Sequence, residues 1–269
     1  MKGLLIYDKE GYRRNEWFVD RLIKSADALG CELKLVIYDG TVDFDTSVDF
    51  AIVRTICPGI NEYFETHAVP TFNNARTSRI ANDKWQTYLF AKDLGLRVMR
   101  TSRVTEYSDL ADSLGSPFVI KSVDGHGGSE VFLVDNEHKC KEILSNIDID
   151  RLIAQSMCSE PGIDMRVYML ASEILAASCR TSNTDFRSNF SLGGKAEIVD
   201  VPSEVSCIAK KICQSLGCDF VGIDFIRHNG EWILNEIEDV VGTRMLYSLT
   251  DIDAADEYLK YIVSKVSGG

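Results

Sequence analysis

The stretch Phe220-Val221-Gly222-Ile223-Asp224-Phe225-Ile226-Arg227-His228-Asn229-Gly230-Glu231-Trp232-Ile233-Leu234-Asn235-Glu236-Ile237-Glu238 reads as two buried strands folded back on a tight turn. Apolar runs at 220–226 and 232–238 flank His228-Asn229-Gly230, a strong hairpin signal. Glu236 and Glu238 stand two apart on one strand and so project from the same face. Whether Asp224 joins them depends on register. A two-residue Asn229-Gly230 turn pairs Asp224 with Asn235, on the wrong face. A three-residue loop pairs it with Leu234, diagonal to Glu236, and puts Gly230 at the left-handed position that such a loop requires. The three-residue register is therefore expected. Three acids on one face repel one another unless something neutralises them. Oxygen donors of this kind suit Mg²⁺ shared with nucleotide phosphates. A solvated acidic face and neutralisation by lysine or arginine are the alternatives.

Upstream, residues 165–170 and 174–179 read as a second strand pair around Ala171-Ser172-Glu173. Alternation puts Asp164 and Arg166 on one strand face. Arg187 and Asn189 fall in a polar stretch before Gly193-Gly194-Lys195 and so in a loop. Arginine can clamp a phosphate or carboxylate through two parallel hydrogen bonds, although taken singly such residues more often form surface ion pairs. A helix over 204–216 ends at Gly217, and a last helix spans about 253–266.

A middle segment starts near Asn82 with a helix that Gly95 ends. Strands follow at 117–121 and 130–134, then a helix over 137–145 and a strand at 152–155. Between the first two strands lies Asp124-Gly125-His126-Gly127-Gly128-Ser129. Glycines let backbone N–H groups approach a phosphate, and Lys121 adds a point charge just before the loop. The loop lacks the GxxxxGK[ST] spacing and joins strand to strand, so alone it equally describes an ordinary hairpin. The first segment alternates strand (4–7), helix (Phe18, Leu22, Ala26 and Leu29, then Gly30) and strands (33–38, 50–53), which implies a parallel sheet. Its first strand–helix junction, 8–15, holds only Gly11, so a GxGxxG dinucleotide site is excluded there.

Composition narrows the function class. The chain has 269 residues, enough for two or more compact units. The formal net charge of −12 argues against coating nucleic acid. No stretch is long and apolar enough to predict a membrane span, and the N-terminal apolar run is too short for a secretory signal. A cytoplasmic protein is expected. The eight cysteines show no CxxC spacing and the four histidines no HxxxH pattern, so the thiols are expected to be reduced and to bind no zinc.

Taken together, these pieces resemble the ATP-grasp superfamily, and within it the RimK-like carboxylate–amine ligases, from about residue 72 to 266. The motifs that carry the resemblance follow one another in the family's order. They are Phe72-Asn73-Asn74 with Asn82-Asp83-Lys84; Phe118-Val119-Ile120-Lys121 with Gly125-His126-Gly127-Gly128; Leu152-Ile153-Ala154-Gln155-Ser156-Met157; Asp164-Met165-Arg166-Val167; Phe186-Arg187-Ser188-Asn189; and Val221-Gly222-Ile223-Asp224 with Leu234-Asn235-Glu236-Ile237-Glu238. The resemblance implies an α/β plus α+β architecture, the ATP-grasp fold. An N-terminal parallel-sheet domain (1–80) would precede a small central lid domain (81–157) and a C-terminal antiparallel-sheet domain (158–269) carrying the metal and catalytic site. It implies ATP and Mg²⁺, with Mn²⁺ as a substitute, and an acyl-phosphate route to an amide. Lys84, Lys121, Gly125, Gly127 and Gly128 would hold phosphates. Gln155 and Met157 would meet adenine and Leu234 pack on it. Asp224, Glu236 and Glu238 would hold the metal. Arg187 and Asn189 would steady the transferring group, and Arg166 the carboxylate substrate. The substrates would be small-molecule or peptide carboxylates and amines, with a homo-oligomer a common state. Arg13, Arg14 and Arg54 in the first domain are candidates to meet a substrate carboxylate. Two departures stand out: Glu238 occupies a position where the family usually has asparagine, and Ser156 one where it commonly has glutamate. A nucleotide-binding protein without turnover and an ATP-grasp kinase acting on a hydroxyl are the competing readings.

Overall fold

The computed structural model describes residues 1–125, 128, 130–182, 185–187 and 195–268. His126, Gly127, Ser129, Asn189 and Gly193-Gly194 lie outside the described residues. The chain opens with β1 (Lys2–Asp8), α1 (Lys9–Ala28), β2 (Glu32–Tyr38), β3 (Phe50–Val53), α2 (Pro58–Thr66) and β4 (Thr71–Phe72). All pairings are parallel, in the order β2-β1-β3-β4. No loop separates β1 from α1. The Asp8 carboxylate accepts from the N–H groups of Glu10 and Gly11, so the first helical turn starts directly after the strand.

Two helices, α3 (Ala75–Ala81) and α4 (Lys84–Asp93), lead into a four-stranded antiparallel sheet. Its elements are β5 (Thr101–Arg103), α5 (Tyr107–Leu114), β6 (Phe118–Ser122), β7 (Val131–Val134), α6 (Glu137–Asn146) and β8 (Leu152–Ser156), with strand order β5-β8-β6-β7. A five-stranded antiparallel sheet follows, ordered β11-β10-β9-β12-β13. It is built from β9 (Ile163–Leu170), β10 (Glu173–Thr181), β11 (Lys195–Ile198), β12 (Phe220–His228) and β13 (Glu231–Glu238). Helix α7 (Ser203–Leu216) covers one face, and α8 (Arg244–Leu249) and α9 (Ala254–Gly268) close the chain.

The first and last parts share one core. Leu5, Tyr7 and Phe18 pack with Tyr168, Phe220, Tyr258 and Leu259, all buried. Asn73 staples the two sheets together. Its Nδ2 donates to the Phe220 carbonyl (2.8 Å) and to Asp239 Oδ1 (2.6 Å), and its Oδ1 accepts from the Phe220 N–H (2.9 Å). The central sheet keeps a separate core around Phe118, Ile120, Leu152 and Ala154.

The decisive hairpin departs from the expected register. His228 pairs with Glu231, leaving a two-residue turn with φ 51° at Asn229 and 76° at Gly230. Positive φ at both positions matches the twist of the flanking strands, and asparagine and glycine tolerate it. A bulge at Asn235 then adds one residue to β13, so Phe225 pairs with Leu234 but Asp224 faces Glu236 directly. The turn alone would have set Asp224 against Asn235; the bulge restores the acids to one face.

Candidate functional site

Strand register assembles a row of charges across the last sheet. Arg180 pairs with Asp164, Arg166 with Asp224, Asp224 with Glu236, and Gly222 with Glu238. Arg166 grips Asp224 with two parallel bonds, Nε to Oδ1 at 2.8 Å and Nη2 to Oδ2 at 2.7 Å, and also reaches Glu238. Arg180 bridges Asp164 (Nη2 to Oδ2, 2.9 Å) and Asp224 (Nη2 to Oδ2, 2.9 Å). Burial alone would raise the Asp224 carboxyl, but Arg166 and then Arg180 hold it down at about 2. Glu238 is pushed up to about 7, chiefly by burial, with Asp224 and Glu236 adding to the effect and Arg166 opposing it. One carboxylate oxygen from each of Asp224, Glu236 and Glu238 falls within 4.8 Å of the others. That all-oxygen set, with its surplus of negative charge, fits a hard dication such as Mg²⁺.

The opposite wall belongs to the central sheet. Lys121 on β6 is 4% exposed, and among the described residues its Nζ donates to two neutral groups, Gln155 Oε1 (3.1 Å) and Asn235 Oδ1 (3.2 Å). Burial lowers its pKa to about 8, with Glu236 pulling it up and Lys84 pushing it down. Lys84, the first residue of α4, lies 3.6 Å from Glu236 and donates to the Gly125 carbonyl. Arg187 donates to the Gly128 carbonyl (2.7 Å) and pairs with Asp185 (2.8 Å), so it ties the glycine loop to the far sheet.

Between the walls is a cleft of about 850 Å³ when the solvent in its open mouth is counted. Of the candidate residues, Lys84, Lys121, Gly125, Gly128, Gln155, Met157, Arg187, Asp224 and Glu236 line it. Leu234 is not brought to its wall. The bulge at Asn235 leaves Leu234 buried in the core with Ala91 and Val98, beside a small neighbouring cavity. Arg166 is engaged by acids rather than offered to a substrate. Sequence reasoning missed Arg180 and Asn235. The expected strand stopped one residue before Arg180, and only the register of the hairpin from β9 to β10 sets it on Asp164. All eight cysteines are free thiols. Among the described residues no helix is long and apolar enough to cross a membrane.

A parallel-sheet domain, a small antiparallel sheet and a larger one closing on a lysine- and acid-lined cleft define the ATP-grasp architecture. The D-alanine–D-alanine ligase of Bacillus anthracis, solved with ATP, superposes with a TM-score of 0.80 over 100% of this chain and 98% of its own, at 15% identity. A RimK-domain ATP-grasp protein of Sphaerobacter thermophilus does so at 0.76 over 98% and 100%, with 16% identity. Residues 81–262 match the RimK-like ATP-grasp domain, and the chain belongs to that family. Among relatives, the uncharacterized protein MG011 of Mycoplasma genitalium is 28% identical over 98% of this chain and 93% of its own length. A probable alpha-L-glutamate ligase of Maridesulfovibrio salexigens is 25% identical over 99% and 96%.

Proposed function

We propose that the chain is an ATP- and Mg²⁺-dependent carboxylate–amine ligase that forms an amide through an acyl phosphate. One observation carries the reading. Two ammonium groups of the central domain, Lys84 and Lys121, line one cleft with Asp224 and Glu236 of the C-terminal sheet, and Glu238 clusters with those two acids. Phosphoryl transfer needs positioning and charge neutralisation more than covalent help. Lys84, Lys121 and the glycine loop hold the phosphates, and Gln155 and Met157 border the base. Asp224, Glu236 and Glu238 hold the metal, whose chemistry is to neutralise and align the phosphate oxygens. Arg187, with Asn189, steadies the transferring phosphoryl. A substrate carboxylate oxygen attacks the γ-phosphorus and ADP departs. An amine then attacks the acyl carbon, loses its proton and expels phosphate. The relatives named as glutamate ligases support an amino acid or peptide as one substrate.

The test is ADP and phosphate release from Mg²⁺-ATP with pooled amino acids and short peptides, products being read by mass spectrometry. New amides with equal ADP and phosphate are expected, and Glu236→Gln lowers turnover at least about a hundredfold while remaining folded. A phosphorylated hydroxyl as product would contradict the ligase reading, and so would full activity in the variant.

A further inference from the structure

Asn235 is the residue that the bulge adds to β13, and the proposed chemistry gives it no task. In a regular strand successive side chains point to opposite faces. Here Asn235 and Glu236, consecutive in the chain, both line the cleft. The bulge permits this. Asp224 pairs with Glu236 and Phe225 with Leu234, so no residue of β12 stands opposite Asn235 and its side chain is re-aimed. The backbone is pinned on both sides of it. Leu234 is buried among Ala91 and Val98 and forms a β-bridge to Val98, and Glu236 faces Asp224.

The re-aimed amide reaches the other wall. Asn235 Oδ1 accepts from Lys121 Nζ at 3.2 Å. The second acceptor of that ammonium, Gln155 Oε1 at 3.1 Å, is itself held in place. Gln155 Nε2 donates to Thr101 Oγ1 at 3.1 Å, and the Thr101 hydroxyl donates to the Met99 carbonyl at 3.0 Å. With its one hydrogen committed to Met99, the Thr101 oxygen can only accept from Gln155. The Gln155 amide therefore turns its oxygen to Lys121.

An ammonium carries three N–H groups. Among the described residues, Lys121 commits one to Gln155 on its own sheet and one to Asn235 on the facing sheet. One acceptor would leave the group free to turn about the hydrogen-bond axis. The second removes that freedom, and tetrahedral geometry then fixes the direction of the third N–H. Both acceptors are neutral amides, so they orient the cation without adding a counter-charge. A tie between the two sheets is the competing account of the same bond. Leu234 and Val98 already join β13 to the segment that enters the central sheet, so such a tie needs no polar group in the cleft.

We propose that Asn235 is a positioning residue for nucleotide binding: placed in the cleft by the bulge, it aims the Lys121 ammonium at the nucleotide phosphates. This inference rests on the ligase reading and adds to it the group that orients its buried cation. It carries a specific consequence. Asn235 acts on the nucleotide through Lys121, so its contribution to affinity disappears when that cation is absent.

The experiment is a double-mutant cycle on the full chain. Isothermal titration measures the affinity of the Mg²⁺ complex of a non-hydrolysable ATP analogue for the unmodified chain, Asn235→Leu, Lys121→Met and the variant carrying both changes. Asn235→Leu is expected to weaken binding about fivefold or more when Lys121 is present, and less than about twofold in the Lys121→Met background. Melting temperatures report whether the variants fold, and Asn235→Ala, which removes the amide without adding bulk, runs the same cycle where the leucine variant melts early. A purely structural tie, or a direct contact of Asn235 with the nucleotide, weakens binding equally in both backgrounds, and that result would overturn the proposal. Unchanged affinity in Asn235→Leu with Lys121 present would overturn it as well. Failure of the unmodified chain to bind the nucleotide would instead contradict the ligase reading itself, and this inference with it.

Discussion

The two walls of the cleft handle charge in opposite ways. On the C-terminal sheet, Asp164, Asp224 and Glu238 face Arg166 and Arg180 within one hydrogen-bonded row, so most of the charge is compensated inside the protein. On the central sheet, the buried ammonium of Lys121 donates, among the described residues, to the amide oxygens of Gln155 and Asn235. The first wall keeps Asp224 ionised and aimed, while burial pushes Glu238 up to about 7. The second keeps a buried cation whose nearby counter-charge is Glu236, acting at longer range. Arg166 and Arg180 are thus paired within the fold, whereas Lys121 is held by neutral oxygens.

Removing one cation from each wall separates the two roles. Arg166→Ala strips Asp224 and Glu238 of their main partner and should destabilise the chain by about 3–5 kcal/mol, read by denaturant unfolding. A loss below about 1 kcal/mol would show that the row is not the structural element described. Lys121→Met should weaken ATP binding about ten- to a hundredfold while changing stability by less than about 1 kcal/mol, because the variant removes an ion that pays a desolvation cost. Unchanged nucleotide affinity would take Lys121 out of the phosphate site.

Acidity gives a second handle on Lys121. Its pKa, lowered to about 8, means that the ammonium is present below that pH and lost above it. Nucleotide affinity should therefore fall as pH rises through 8, and isothermal titration should show this dependence flattened in Lys121→Met. The smallest effect lies away from both walls. Asp253 accepts from the Ala255 N–H (3.2 Å) at the start of α9 and from Tyr247, and it pairs with Arg21 at 3.1 Å. Asp253→Ala should cost about 1 kcal/mol of stability and leave nucleotide affinity unchanged. A change in affinity would break the separation between structural and ligand-facing charges.

The sequence made the acid hairpin legible because spacing alone reports which side chains share a strand face. It misled on register because turn length and bulge act in opposite senses, and a bulge at Asn235 leaves no mark in the apolar pattern. The alternating elements of the N-terminal sheet and the glycine stops at Gly30, Gly95 and Gly217 were readable from local chemistry. Arg180 was not, since its value comes from Asp164 and Asp224 on two neighbouring strands. The family resemblance implies that Leu234 packs on the adenine, and the bulge at Asn235 turns it into the core. Arg54 is one of three candidate arginines in the sequence, and its packing against Phe18 and Val241 comes from distant segments that no local pattern reports.

The most direct measurement is a crystal structure with the Mg²⁺ complex of a non-hydrolysable ATP analogue. The account predicts the phosphates between Lys84 and Lys121, with a metal about 2.1 Å from oxygens of Asp224, Glu236 and Glu238. A nucleotide bound elsewhere, or a metal held without those carboxylates, would contradict it.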